Sequence, residues 1–155
     1  MNIRHVTEED LGKIRAFVKD NPPLGFHTLY TYWVLYSQFG RLWHICEENG
    51  NIVGFISGIK SVSEPSTVLI WQIGVSKNIR GKGVSTALID EFLSSCKQLG
   101  IENGLVTIDP SNKVSLGLFQ SYFNKYSSFN VCGSLSLSDE FCKDDEYEDI
   151  YTFKI

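Results

Sequence analysis

Arg80, Gly81, Lys82 and Gly83 put two cations and two glycines into four consecutive residues, between an apolar run and an amphipathic one. That combination suits a bound anion. Glycines let an anion's oxygens reach the backbone with no Cβ in the way, and the Arg80 and Lys82 side chains add positive charge. A helix opening near 81–85 would add about half a positive charge more through its unpaired N–H groups. A tight strand-to-helix turn that binds nothing is the competing explanation, and these four residues alone do not separate the two. Spacing does exclude two nucleotide motifs. A P-loop needs a glycine five residues before Gly81 and Ser or Thr after Lys82, where Ser76 and Gly83 stand. A dinucleotide fingerprint needs a third glycine where Thr86 stands.

The elements that must position this loop are legible on both sides of it. Residues 68–75, VLIWQIGV, are rich in β-branched and aromatic types and stop at a polar break, Ser76-Lys77-Asn78, as an interior strand does. Gly74 within that strand marks a bulge or a close approach of ligand to backbone. Beyond the loop, Val84, Ala87, Leu88, Ile89, Phe92 and Leu93 recur at helical spacing, with Asp90 and Glu91 on the other face.

Composition narrows the class. The chain has 155 residues, 43% hydrophobic and 21% charged, without a linker-like stretch, and is expected to form a single domain over 1–155. No run approaches the length of a membrane helix and residues 1–11 lack a signal-peptide core, so a cytoplasmic location is expected. Four cysteines, Cys46, Cys96, Cys132 and Cys142, show no metal-ligand spacing with His5, His27 and His44, so no metal and reduced thiols are expected. The net charge is −4, and seven carboxylates fall within residues 139–149. Such a segment would repel nucleic acid and suits a cationic substrate, although a solvated acidic loop explains most of it equally well.

In chain order, residues 2–6 read as a strand and Thr7 as the cap of a helix reaching Asp20, broken by Asn21-Pro22-Pro23-Leu24-Gly25. Residues 26–39 read as a helix with aromatic side chains on both faces, Phe26, Tyr30 and Trp33 on one and Tyr32, Tyr36 and Phe39 on the other. Strands at 42–47 and 52–59 flank an Asn49-Gly50 hairpin. A strand at 104–109, a helix opened by Pro110-Ser111-Asn112, and closing strands at 129–137 and 150–155 complete the chain. This order predicts an α+β fold with a mixed sheet, not a doubly wound one.

Arg80-Gly81-Lys82-Gly83-Val84-Ser85 fits R-x-x-G-x-G/A, and there the chain resembles the GCN5-related N-acetyltransferase (GNAT) superfamily, with Ser85 in place of the last Gly or Ala. The resemblance extends over essentially the whole chain and implies a mostly antiparallel central sheet flanked by helices. It implies acetyl-CoA as cofactor, held by Ile73, Gly74, Val75, Arg80, Gly81, Lys82, Gly83, Val84, Ser85, Thr86 and Asn112. Within the superfamily the chain is most similar to the diaminobutyrate acetyltransferases of ectoine synthesis. The marks are 24–32 (LGFHTLYTY), 71–75 (WQIGV), 109–112 (DPSN) and Glu148-Asp149. That resemblance implies a small diamino acid as acceptor, walled by Tyr30, Tyr32, Trp71, His27 and Thr28, and a possible homodimer. Gly25 and His27 replace the Asp and Asn of the family pattern, which leaves a different small amine or a polyamine open as the acceptor.

The chemistry makes its own demands. An aliphatic amine is protonated at pH 7, and exposing its lone pair costs about 4 to 5 kcal/mol. One carboxylate can hold a spectator ammonium while another group receives the reacting proton. Glu148 and Asp149 are the candidates, and as neighbours on a strand they face opposite ways. A backbone N–H near 73–75 would serve the oxyanion of acyl transfer. In many family members a Tyr seven residues after the cofactor-binding Asn protonates the leaving thiolate; here Phe119 holds that position, and Tyr122 is the nearest substitute. A non-catalytic acyl-CoA-binding module is the alternative from another functional class.

Overall fold

The computed structural model describes residues 1–124, 128–139 and 144–155; Glu140 and Cys142 lie outside the described residues. The elements run β1 (Asn2–His5), α1 (Leu11–Asp20), α2 (Leu29–Phe39), β2 (His44–Glu48), β3 (Asn51–Lys60), β4 (Thr67–Val75), α3 (Val84–Gln98), β5 (Asn103–Ile108), α4 (Lys113–Phe123), β6 (Asn130–Asp139) and β7 (Asp144–Lys154). The seven strands form one sheet in the order β1-β2-β3-β4-β5-β7-β6. Every pairing is antiparallel except β4 with β5. The α+β fold expected from the sequence is the fold observed.

Close contacts assign the helices to faces. A Cβ on Gly54 would meet Leu88 at 3.0 Å, and one on Gly58 would meet Phe92 at 2.5 Å, so α3 packs tightly on that side of β3. Tyr122 of α4 hydrogen-bonds Asp90 of α3, which places α4 on the same side. Phe55, between Gly54 and Gly58 in the alternation, meets Trp43 with ring centroids 5.6 Å apart, and Trp43 meets Tyr32 of α2 at 6.4 Å. The opposite face of β3 and β4 is thus the α2 side.

Three expectations are corrected. The second helix starts at Leu29 and not at residue 26, because Thr28 ends the preceding loop as the N-cap, its Oγ1 accepting from Thr31 N at 3.1 Å. Only one aromatic face of α2 is covered: Tyr32 is fully buried, whereas Tyr30 is 72% exposed and stacks on the exposed Trp33. The acidic segment is not a loop throughout, since β7 begins at Asp144 and carries Glu146, Glu148 and Asp149 against β6. Ladder pairing satisfies the backbone there, while the side chains of alternate residues stay accessible to solvent.

The first turn is held by charge. Thr7 and Asp10 form a capping box, and Asp10 takes two hydrogen bonds from Arg4 at 2.7 and 2.9 Å. Arg4 also reaches Glu47 of β2. Cys46 and Cys96 are buried and Cys132 is exposed, all as free thiols; burial pushes the Cys96 thiol up to about 12, away from nucleophilic use.

Candidate active site

The site begins with a strand that loses its neighbour. β4 and β5 pair from Thr67↔Asn103 to Ile70↔Val106 and no further, although β4 continues to Val75 and β5 to Ile108. Each strand stays with its other partner, β4 with β3 and β5 with β7, so the sheet opens between them. A bulge accompanies the opening. Ser57 pairs with Gln72 and Gly58 with Ile70, which leaves Trp71 as the extra residue on β4. The bulge therefore falls at Trp71; Gly74, read as marking either a bulge or a close approach of ligand to backbone, pairs regularly with Phe55 and lines a cavity in the opening. The space a side chain would take at Gly74 is filled by Leu24, whose Cδ1 lies 2.5 Å from the Cβ position.

Register gives the direction of the backbone groups. Ser76 N donates to Val53 O at 2.9 Å, so residue 76 turns toward β3 and, by alternation, Ile73 and Val75 turn their N–H and C=O groups into the opening. Arg80 Nε donates to Val75 O at 3.3 Å and ties the glycine loop to the end of β4.

A cavity of about 390 Å³ occupies the opening. It brings together Ile73, Gly74, Val75, Arg80, Gly81, Ser85 and Asn112, seven of the eleven residues assigned to the cofactor from sequence. Gly81 and Gly83 have φ of 79° and 78°, a left-handed conformation that side-chain-bearing residues rarely adopt. The first helical bond of α3 is Ala87 N to Gly83 O, which leaves the N–H groups of Val84, Ser85 and Thr86 outside the helix ladder, and no side chain caps them. The loop thus has the donors and charge a pyrophosphate needs. Val84 contributes only its backbone there, since its side chain is buried under β3; Lys82, Gly83 and Thr86 are exposed beside the cavity. Asn112 caps α4, its Oδ1 accepting from Ser115 N at 3.1 Å, so its carboxamide NH₂ is the end left for a ligand. Sequence reasoning had not assigned Asn21, Leu24, Ser115 or Leu118, which also line the cavity.

On the α2 side an aromatic group surrounds Trp71. His27 lies 5.1 Å from it, Tyr32 5.6 Å and Trp43 5.9 Å, between ring centroids. Tyr32 belongs to this wall by its ring, while its hydroxyl donates to Gln72 Oε1 at 3.2 Å. Tyr30 does not belong to it, because the helical turn carries it to the exposed face of α2, and the Thr28 hydroxyl is occupied by the cap. Gln72 was the unassigned polar residue here; a lone amide inside a buried apolar strand was its signal.

The two C-terminal carboxylates separate as strand alternation requires. Asp149 pairs with Ile108 and turns to the α4 side, where it accepts from Tyr147 Oη at 3.3 Å. Glu148 turns to the other face, the face of Gln72. Tyr122 is corrected as a substitute acid. Its hydroxyl bonds Asp90, and it lines a separate cavity of about 1380 Å³ near the paired ends of β4 and β5. One helical turn, about 6 Å, separates it from Leu118, the cavity-lining residue of α4 nearest to it in sequence. Phe119 is 1% exposed among Phe123 and Phe129. Among the described residues no cluster of His, Cys, Asp or Glu could hold a metal, and no helix is long and apolar enough to cross a membrane.

A sheet split between two parallel strands, with a glycine-rich anion loop opening the helix after the first of them, defines an acyl-CoA N-acyltransferase fold. Residues 11–124 match the family model described as Acetyltransferase (GNAT) family, and the chain belongs to that family. It is 31% identical over 127 residues to an L-2,4-diaminobutyric acid acetyltransferase of Halomonas elongata, covering 81% of this chain and 66% of that relative, slightly under two thirds of its length. It is 30% identical over 149 residues to the enzyme of the same name from Marinococcus halophilus, covering 96% and 86%. Among solved structures, the diaminobutyrate acetyltransferase EctA of Paenibacillus lautus, in complex with L-2,4-diaminobutyric acid and coenzyme A, superposes with a TM-score of 0.83 at 25% identity, covering 99% of this chain and 93% of that one.

Proposed function

We propose that this chain is an acetyl-CoA-dependent N-acetyltransferase whose acceptor is a primary amine of a small diamino acid, L-2,4-diaminobutyrate, and that it works in the cytoplasm. The opening between β4 and β5, with the glycine loop at its mouth, is the observation that carries this reading. Acetyl-CoA supplies the activated acetyl group. The residues present fit it: donors of Val84, Ser85 and Thr86 for phosphate, backbone of Ile73 and Val75 for an extended amide-bearing arm, and the Asn112 carboxamide beside it. A Val75 or Ile73 N–H also stands where an acyl oxygen gaining charge would need a donor.

Acceptor roles divide by face. Glu148 holds the spectator ammonium, and Trp71 and Tyr32 wall the apolar part of the amine. A carboxylate beside the reacting ammonium would raise the cost of deprotonating it, so the proton goes elsewhere, to His27 or through water. The relatives' shared name and the neighbour's bound substrate support diaminobutyrate as the acceptor.

Thiol release from acetyl-CoA tests the proposal. Release is expected to depend on 2,4-diaminobutyrate, and Glu148→Gln is expected to raise the amine KM about 10- to 100-fold, about 1.4 to 2.7 kcal/mol of lost binding. Binding of CoA without release by any amine in a panel would make the chain a sensing module instead. Release with another amine only would place the specificity in Gly25 and His27.

A further inference from the structure

We propose that Gln72 is a positioning residue for the amine: its carboxamide latches the loop between α1 and α2 onto β4 and so fixes His27 against Trp71. This rests on the acetyltransferase reading above. Gln72 is 6% exposed and follows the bulged Trp71 directly. Its Nε2 donates to Gly25 O at 2.6 Å, and its Oε1 accepts from Tyr32 Oη at 3.2 Å. Both partners belong to one stretch of chain, residues 21–32. One end of that stretch, Asn21 to Leu24, walls the cofactor cavity, and the other carries His27 to Trp71. A single amide on the strand therefore sets the loop against cofactor and acceptor together.

Gly25 is part of the device. A Cβ built there would lie 3.1 Å from His27 Nε2 and 3.7 Å from Gln72 Nε2. The edge of the imidazole thus rests where a side chain at 25 would begin, and the latch needs the backbone carbonyl of 25 at the same point. From the other side Arg15 Nε donates to His27 O at 3.0 Å, which holds the backbone of 27, while the Gly25 carbonyl takes its short bond from Gln72 and a longer one, 3.5 Å, from Tyr32 Oη. Without Gln72 that carbonyl keeps only the long contact from Tyr32 Oη, and the loop that carries it is then held to β4 less tightly.

Two substitutions at Gln72 test the latch. Gln72→Glu keeps the size and the acceptor for Tyr32 but faces the Gly25 carbonyl with an oxygen, so it breaks the latch alone. Gln72→Met supplies an uncharged variant of similar shape in case the carboxylate prevents folding. Steady-state kinetics with 2,4-diaminobutyrate and hydrogen exchange of peptides spanning 21–28 are the readouts. Gln72→Glu and Gln72→Met are expected to raise amine KM at least 10-fold, with kcat within about 3-fold, and to speed exchange in 21–28 alone. Unchanged exchange in 21–28, or faster exchange with unchanged amine KM, would overturn the proposal; a general loss of protection would make Gln72 merely structural. Should the wild-type chain acetylate no amine, the functional reading fails while the exchange data still report the latch.

Discussion

Phe119 occupies the position at which many relatives in its superfamily carry a proton-donating tyrosine, and its surroundings give it a purely apolar task. The ring is 1% exposed and stacks with Phe123 and Phe129 at 6.3 and 6.2 Å. A hydroxyl added there would enter an aromatic cluster. Phe119→Tyr is expected to lower the unfolding free energy by about 1 to 3 kcal/mol, the cost of a buried polar group without a partner, and to leave kcat within 2-fold. Urea unfolding and thiol-release kinetics check both halves. A 10-fold rise in kcat would show that the position still addresses the leaving thiolate. The residue pair 148 and 149 illustrates the opposite outcome, since alternation along a strand is rigid enough to be read without coordinates: one carboxylate faces the α2 side of the sheet and the other the α4 side.

At the scale of elements, the opening between β4 and β5 makes a sharper prediction about Gly74. A methyl group there would press on Leu24 Cδ1, the far end of a flexible side chain that borders the cofactor cavity. Gly74→Ala is expected to displace Leu24 into that space, raising the acetyl-CoA KM about 5- to 20-fold without unfolding the chain, and Leu24→Ala in the same chain is expected to restore it to within 3-fold. Isothermal titration with CoA measures the same loss and recovery; a single variant that binds normally would show that the loop absorbs the methyl group elsewhere. The element pattern itself was largely legible, because hairpin and loop signals are local: Asn49 and Gly50 take φ of 52° and 77° in the expected hairpin, and Gly81 and Gly83 stand in the expected turn between strand and helix. What could not be read depended on partners distant in sequence. The bulge sits at Trp71 because of β3, not because of the glycine nearby. The start of β7 in an acidic run follows from pairing with β6. Tyr30 and Tyr32 have similar chemistry, and only the packing of α2 on the sheet decides which of them is covered.

For the molecule as a whole, stability should fall in two separate stages as the solution is acidified. His44 is buried at 2% exposure between β2 and α3, its Nε2 3.2 Å from Ser95 Oγ and its Nδ1 without a hydrogen-bond partner. Burial, reinforced by the neighbouring His5, lowers it to about 4 from an ordinary 6.5. The unfolded chain therefore binds a proton between pH 6.5 and 4 that the folded chain refuses, and stability declines as pH falls through that window. The difference between 6.5 and about 4 corresponds to about 3 kcal/mol of stability, lost as pH falls through that window. Asp10 acts lower: hydrogen bonds from Arg4 hold it well below the usual carboxylate range, so its contribution stays intact above the ordinary carboxylate range and drains away beneath it. Urea titrations from pH 8 to 3 are expected to show a first decline between 6.5 and 4 that His44→Gln largely removes, and a second below 4 that it leaves in place. If the first decline survives His44→Gln unchanged, the buried imidazole does not set the acid limit of the fold. Because His44 does not line the cofactor cavity, amine-dependent activity should keep its pH dependence in the variant while the stability curve flattens.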